Sequence, residues 1–315
     1  PLVRFAQLDA QVNVYGPAVK LWNTAVGATM MREAVNLMGG YGITEDCPGF
    51  VGQKWMDAQL EATYEGPESV QRRQLSVTML NEVFLAQLRV WLKEMREIGR
   101  ERAGTGACAL ATGLELWLKT LEYLQSAKDA SGGRLYSNNR QGVTFALADA
   151  LCWLLSSRSL ILDVIELEER GVENPVLAEG LDGLVAFYTD LSHAQVARSC
   201  GEAGRICAEL IYGYQRHPAW DDADNNGSCR AQDADALDAI IPGIGAGVRG
   251  YGDVLEMDEL RPNKAGPCFV PHGIDGFIRL RAKLDGCLCG CRLAKDRAAA
   301  ALTKVMIPET LDYPI

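Results

Sequence analysis

The sequence lacks the features that mark several common classes of protein. Basic residues are in the minority, with 31 Lys and Arg against 41 Asp and Glu and a net charge of −10. No basic cluster is interleaved with aromatic residues, so we expect no binding to nucleic acid. No signal peptide opens the chain, and its apolar runs are short or interrupted by charges. We therefore expect no membrane span and a cytoplasmic location.

Strand signals and flexible linkers are also lacking. No segment alternates convincingly between polar and apolar residues, whereas apolar residues recur every three to four positions along most of the chain. The 315 residues, 48% of them hydrophobic, are enough for a sizeable core. These patterns predict an all-α fold: an antiparallel helical bundle over residues 1–104, a second helical domain over 105–217 and a loop-rich tail with short helices over 218–315.

The periodicity and the turn residues predict individual helices. Pro17 is expected to open one helix, with Gly39 as its left-handed C-terminal cap. A second, long helix is expected to begin at Pro67. Its apolar residues are spaced by seven and should form one buried stripe, namely Val70, Val77, Phe84, Trp91 and Ile98. Further helices are predicted over 106–128, 140–170 and 176–216.

Glu65 is the carboxylate most suited to acid–base chemistry. It lies between Tyr64 and the Gly66-Pro67 step, where a turn opens a helix and could hold the side chain rigidly. A glutamate in water is a weak base toward a C–H bond, and burial beside apolar groups strengthens such a base. The alternative is a solvated carboxylate that the helix dipole favours at this position.

The surrounding motifs resemble the C-terminal helical region of the acyl-CoA dehydrogenase flavoproteins. They occur in the order and spacing of that family: Gly39-Gly40-Tyr41-Gly42, Asp57-Ala58, Tyr64-Glu65-Gly66 and Val70-Gln71-Arg72. The chain departs from the family at Pro67, where threonine is usual, and at Ser69, where Gln or Glu is common. Family members ordinarily stop soon after this helix, and the further two hundred residues resemble the extensions of very-long-chain acyl-CoA dehydrogenases and acyl-CoA oxidases.

The resemblance implies an activity and a set of site residues. Glu65 would be the base that removes the α-proton of an acyl-CoA thioester, with FAD accepting the β-hydride. The thioester carbonyl would be hydrogen-bonded by the backbone N–H of Glu65 and by a flavin hydroxyl. The other implied cofactor-binding residues are Tyr64, Gly66 and Ser69 beside the base, and Asn36, Gly39 and Gly40 near the adenine end of a neighbouring protomer's FAD.

The resemblance also implies partners and leaves alternatives open. Electrons would pass to an electron-transfer flavoprotein, and the family's flavin-covering domain does not occur in these residues. We therefore expect a C-terminal half or subunit that forms a homo-oligomer, or a hetero-oligomer with a chain that carries the flavin domain. The alternatives are a non-catalytic helical scaffold subunit and an acyl-CoA oxidase. The type and length of the acyl chain are not fixed by these residues.

Two segments carry metal-ligand chemistry without a convincing site, and we predict no metal in either. The segment Asp222–Asp233 fits the spacing of a calcium loop, but an acidic, turn-forming loop explains it equally simply. The thiols of Cys287, Cys289 and Cys291, with Cys268 and His272 upstream, could bind zinc or an iron–sulfur cluster. Their spacing is not the usual C-x-x-C, however, and a helix there would aim Cys289 away from the other two.

Overall fold

The computed structural model describes residues 2–128, 132–213 and 276–310, which are helical almost throughout and contain no β-strand. This confirms the all-α fold class. The ten α-helices of the described part are α1 (Leu2–Met38), α2 (Val51–Glu61), α3 (Glu68–Thr78), α4 (Glu82–Glu101), α5 (Ala107–Ser126), α6 (Gln141–Arg170), α7 (Pro175–Ala178), α8 (Leu181–Tyr212), α9 (Phe277–Asp285) and α10 (Cys291–Thr310).

The first helix differs from the prediction, because Pro17 lies inside α1 and does not open it. Proline removes one backbone hydrogen bond and strains the preceding turn, which usually ends a helix. Here the helix continues because its buried residues keep the helical spacing on both sides of the proline, at Ala10, Val14, Ala18 and Leu21. Burial against the core therefore outweighs the local preference of proline. The left-handed cap at Gly39 is present, with φ of 63°.

The long helix predicted from Pro67 is two helices. Thr78 ends α3, and Asn81 caps α4, with its Oδ1 accepting hydrogen bonds from the backbone N–H of Val83 at 2.9 Å and of Phe84 at 3.2 Å. The predicted stripe is wrong in its first half, because the break changes the direction of the chain. Phe84 and Trp91 are buried and Ile98 is half-buried, but Val70 and Val77 are exposed.

The later helices lie close to where they were predicted. Two of them, α5 and α6, match 106–128 and 140–170 within two residues, while the third segment is divided into α7 and α8 by a turn at Glu179–Gly180. One continuous apolar core contains residues of α1, α3, α4, α5, α6, α8 and α9. Buried hydrogen bonds also join these helices: Trp117 Nε1 donates to the Leu147 carbonyl at 2.9 Å, and Ser157 Oγ donates to Ser199 Oγ at 2.7 Å.

The helix α6 and the 3₁₀ turn after it are long and apolar enough to cross a membrane, by length and composition alone. The sequence analysis did not identify this helix as long and apolar enough to span a membrane. Half of the most apolar stretch is buried inside the protein. Since α6 packs against α3, α5 and α8, its apolar character is accounted for by its place in the core.

Only part of one of the two candidate metal-binding segments lies within the described residues. Asp222–Asp233, Cys268 and His272 lie outside the described residues. Cys287 belongs to a 3₁₀ turn and is buried, Cys291 begins α10 and is buried, and Cys289 between them is exposed. Cys289 thus differs from the other two, as predicted, although the segment is a turn and not a continuous helix. Within the part of the chain that the structure describes, no three His, Cys, Asp or Glu residues are grouped to hold a metal.

Candidate functional site

The turn between α2 and α3 holds Glu65 in an unusual backbone conformation. Glu65 has φ of 48° and Gly66 has φ of 93°, so two successive residues lie on the positive side of the φ axis. A non-glycine residue is uncommon there and costs free energy. A Cβ on Gly66 would also lie 2.2 Å from Nε2 of Gln71, so the Gln71 side chain, which donates to the Gly66 carbonyl at 3.0 Å, would have to move.

The start of α3 anchors this turn to the rest of the protein. The Pro67 carbonyl accepts the first helical hydrogen bonds, from Val70 N at 2.8 Å and Gln71 N at 3.1 Å. One turn later, Arg72 donates from Nη1 to Glu68 at 2.9 Å and from Nε to both Asp149 oxygens at 2.8 and 3.0 Å. Because Asp149 belongs to α6, this bifurcated, charge-assisted hydrogen bond fixes α3 against α6.

The Arg72–Asp149 pair is partly buried, and burial has the largest effect on the pKa of the carboxyl group. Burial raises the pKa of Asp149, and the opposing effect of the Arg72 guanidinium does not cancel that rise. For Arg72 burial lowers the pKa, but Asp149 and Glu68 outweigh it and the net change is upward. Sequence analysis assigned no role to Asp149. The available signal was a single charged residue in the apolar run from Val143 to Ser157.

The side chain of Glu65 is exposed and forms no hydrogen bond or ion pair with the described residues. Tyr64 beside it is 45% exposed, with Lys20 Nζ placed 4.6 Å from the centre of its ring. The same Lys20 Nζ donates to the Glu61 carbonyl at 2.9 Å, which ties the end of α2 to the middle of α1. The apolar surroundings that a glutamate base requires are therefore not supplied by this part of the chain.

The other predicted cofactor residues lie at the end of α1. Gly39 has φ of 63°, and a Cβ built on Gly40 meets no atom within 4 Å. Gly42 is different, since a Cβ there would lie 2.8 Å from the Val35 carbonyl, so it serves the turn itself. Asn36 is exposed, and its side chain hydrogen-bonds Glu33, whose pKa is lowered first by Arg32 and then by Asn36.

The structure does not bring these two groups of residues together. Tyr64 packs beside Lys20, which precedes Gly39 by nineteen residues of nearly continuous helix, or about 28 Å at the helical rise per residue. Ser69, in the first turn of α3, is exposed on the Glu65 side. A single chain thus presents the Glu65 carboxylate near the middle of α1 and an open glycine turn at the end of α1.

Comparison with known proteins identifies the segment that carries this geometry. Residues 4–80 match the family model described as "Acyl-CoA dehydrogenase, C-terminal domain". Comparison with curated proteins and with solved structures gave no match. The matched segment is about a quarter of the chain and contains every predicted site residue.

The segment from α1 to α3 is therefore an acyl-CoA dehydrogenase C-terminal helical region, as its motifs predicted. The match does not extend over α4 to α10, which include most of the apolar core.

Proposed function

We propose that this chain supplies the base-bearing helical part of an FAD-dependent acyl-CoA dehydrogenase that forms α,β-unsaturated acyl-CoA. The observation that carries the proposal is the strained Tyr64-Glu65-Gly66 turn within the family segment. A left-handed glutamate costs free energy that a purely structural turn would avoid by placing glycine there. The turn instead directs an otherwise unpartnered carboxylate away from the helical core, where a substrate can reach it.

The role of Glu65 is to take the α-proton of the thioester. Its backbone N–H, at the start of the turn, is the donor proposed for the thioester carbonyl, where negative charge develops as the proton leaves. Since the described residues leave Glu65 exposed, the apolar enclosure must come from the acyl chain, the flavin and a flavin-covering domain. That domain would be carried by another part of a longer chain or by another subunit.

The residues at the end of α1 fit one edge of a flavin nucleotide. Gly39 and Gly40 leave a stretch of backbone with no side chain of their own and free space above Gly40, so a planar group could approach closely. Asn36 adds an exposed amide one helical turn earlier. When bound, FAD would accept the β-hydride. Because these residues lie far from Glu65 along α1, they would hold the FAD of a neighbouring subunit.

An electron-transfer flavoprotein as electron acceptor rests on the family alone, and a cytoplasmic location rests on the sequence features given above. An acyl-CoA oxidase would differ only in that the reduced flavin reacts with oxygen. The rival from another class is a helical scaffold subunit, and one observation favours it: Glu65 has no apolar surroundings in the described structure.

Replacement of Glu65 by Gln tests the proposal against the scaffold. In the assembled, FAD-containing protein, Glu65→Gln should preserve FAD content and lower turnover of acyl-CoA by several orders of magnitude, because no neighbouring carboxylate can replace the base. Glu61→Gln is the matched control, since Glu61 is an exposed carboxylate four residues earlier and should leave turnover unchanged. Near-normal turnover in Glu65→Gln would contradict the assignment and favour the scaffold.

A further inference from the structure

A cavity of about 320 Å³ lies among α1, α3, α6 and α8, and no predicted site residue lines it. Its volume is at the lower end of the range of small-molecule sites. Its walls are largely apolar and aromatic, built from Leu21, Trp22 and Val26 of α1, Trp153 of α6 and Ile206 of α8. The indole rings of Trp22 and Trp153 meet edge to face, with ring centres 4.6 Å apart.

Three arginines line the cavity, and two of them already have carboxylate partners. Arg72 pairs with Asp149 and Glu68, and Arg205 pairs with Glu202 at 3.2 Å and Glu209 at 2.8 Å. Both acidic residues of the lining, Asp149 and Glu202, are thereby neutralised.

Arg198 is the exception: it is an exposed residue at the edge of the lining, and its guanidinium forms no ion pair among the described residues. It lies 5.1 Å from the centre of the Trp153 ring, over the apolar wall. A cation held there by an aromatic face keeps its hydrogen-bond donors available to a ligand. The cavity thus combines an apolar body with one positive charge that has no counterion among the residues the structure describes.

We propose that this cavity binds a small molecule with an apolar or aromatic body and a single carboxylate. The carboxylate accepts hydrogen bonds from Arg198, and the body lies between the two tryptophans and the aliphatic residues of α1 and α8. The small volume favours a ligand of this size over a nucleotide or a long acyl chain. The inference is independent of the function proposed for Glu65.

The test uses the full chain, with 3-phenylpropionate as the probe and 3-phenylpropan-1-ol as a neutral compound of matched shape. Binding of each compound is measured by calorimetry and by the fluorescence of the cavity tryptophans. The acid should bind saturably and at least about tenfold more tightly than the alcohol, because only the carboxylate pairs with Arg198. Arg198→Gln should weaken binding of the acid about tenfold and leave the alcohol unchanged.

Two further variants make the result specific to the cavity. Ala25 lines the cavity, so Ala25→Leu, or Ala25→Met if leucine is not tolerated, should fill it and abolish binding of both compounds. Arg292→Gln removes an exposed arginine of α10 that does not line the cavity and should leave both affinities as in the parent. Equal affinity for acid and alcohol, acid binding that survives Arg198→Gln, or the absence of saturable binding would each overturn the proposal.

Discussion

At the scale of single residues, two carboxylates occupy positions where a charged side chain is unusual. Glu65 adopts a left-handed backbone, and Asp149 carries a charge into an apolar helix. Their environments are opposite. Asp149 is partly buried and fixed by Arg72 at 2.8 Å, whereas Glu65 is exposed and has no partner among the described residues. The first joins two helices, and the second is the one that we propose to meet a substrate.

Glycine at position 65 should stabilise the protein. A non-glycine residue in the left-handed region costs about 1–2 kcal/mol, and glycine removes that cost. Part of the resulting gain in stability is lost, because glycine gives the unfolded chain greater conformational freedom. We expect Glu65→Gly to raise the free energy of unfolding by about 0.5–1 kcal/mol, measured by urea denaturation. Glu61→Gly, at the end of helix α2, should have the opposite sign. Equal destabilisation by both variants would show that Glu65 is not left-handed in solution.

The pH dependence of stability should reveal the state of Asp149. Because burial raises its pKa in the folded protein above 3.8, the contribution of Asp149 to stability is fully present below that value and is lost as the pH rises through the raised pKa. The difference in free energy of unfolding between the parent and Asp149→Asn should therefore shift against the parent as the pH rises from below 3.8 to neutrality. Urea titrations of both proteins measure this difference, in which other groups cancel. A shift in favour of the parent would mean that the charge of Arg72 outweighs burial.

At the scale of helices, the sequence predicted the type of the elements better than their number, because two predicted helices are each divided by a turn. The helices α5 and α6 were predicted within two residues because each has a long apolar face and a clear turn on either side. Pro17 was misread and Asn81 was overlooked, for opposite reasons. Proline is a strong local breaker that core packing overrode, and Asn81 is an inconspicuous cap whose effect needs the hydrogen bonds to Val83 and Phe84 to be seen.

The candidate site shows the same limit. Sequence motifs identified Glu65 and the glycine turn, because both features depend on particular residue types that are adjacent in the chain. The pairing of Arg72 with Asp149, seventy-seven residues apart, depends on how α3 meets α6. No local pattern encodes that contact. The unpaired Arg198 likewise becomes informative only when the partners of its neighbours are known.

Close packing between α4 and α5 gives a prediction at the same scale. A Cβ on Gly99 would lie 2.6 Å from the backbone nitrogen of Cys108 and 2.4 Å from its sulfur, so the helices must separate to admit it. We expect Gly99→Ala to destabilise the protein by about 1–3 kcal/mol in thermal or urea unfolding. Gly201→Ala on α8 is the control, since a Cβ there meets nothing within 4 Å and should stabilise by about 0.5–1 kcal/mol. Equal effects would mean that α4 and α5 are not in contact at Gly99.

At the scale of the whole molecule, exposed apolar residues are concentrated in the family segment. Among the described residues, seventeen of the twenty-five large apolar residues that are exposed fall within residues 2–77. The first turns of α1 alone expose Leu2, Val3, Phe5, Leu8 and Val12, and Leu37 near its end is 88% exposed. Exposed apolar side chains concentrated in one segment favour an interface there. It therefore supports a protein whose site is completed by other subunits or domains.

Substitution of Gly40 tests directly whether other subunits or domains complete the site, because the surroundings of Gly40 within the chain are open. A side chain there meets no atom within 4 Å, so Gly40→Val should change the free energy of unfolding of the isolated chain by no more than about 0.5 kcal/mol. If the turn receives a neighbouring subunit's FAD, the valine will collide with that group. FAD content and subunit association, measured by absorbance and by sedimentation, should then fall together.

The matched control is Gly142→Val at the start of α6, an exposed glycine whose Cβ would also meet nothing within 4 Å. It should leave FAD content and association unchanged. A glycine turn that serves only the end of α1 predicts a different pattern, in which Gly40→Val binds FAD and associates like the parent. Because stability and assembly are measured separately, a general folding defect cannot be mistaken for the loss of a shared site. The outcome thus decides whether the open turn at Gly39 and Gly40 is a binding surface or only the cap of a helix.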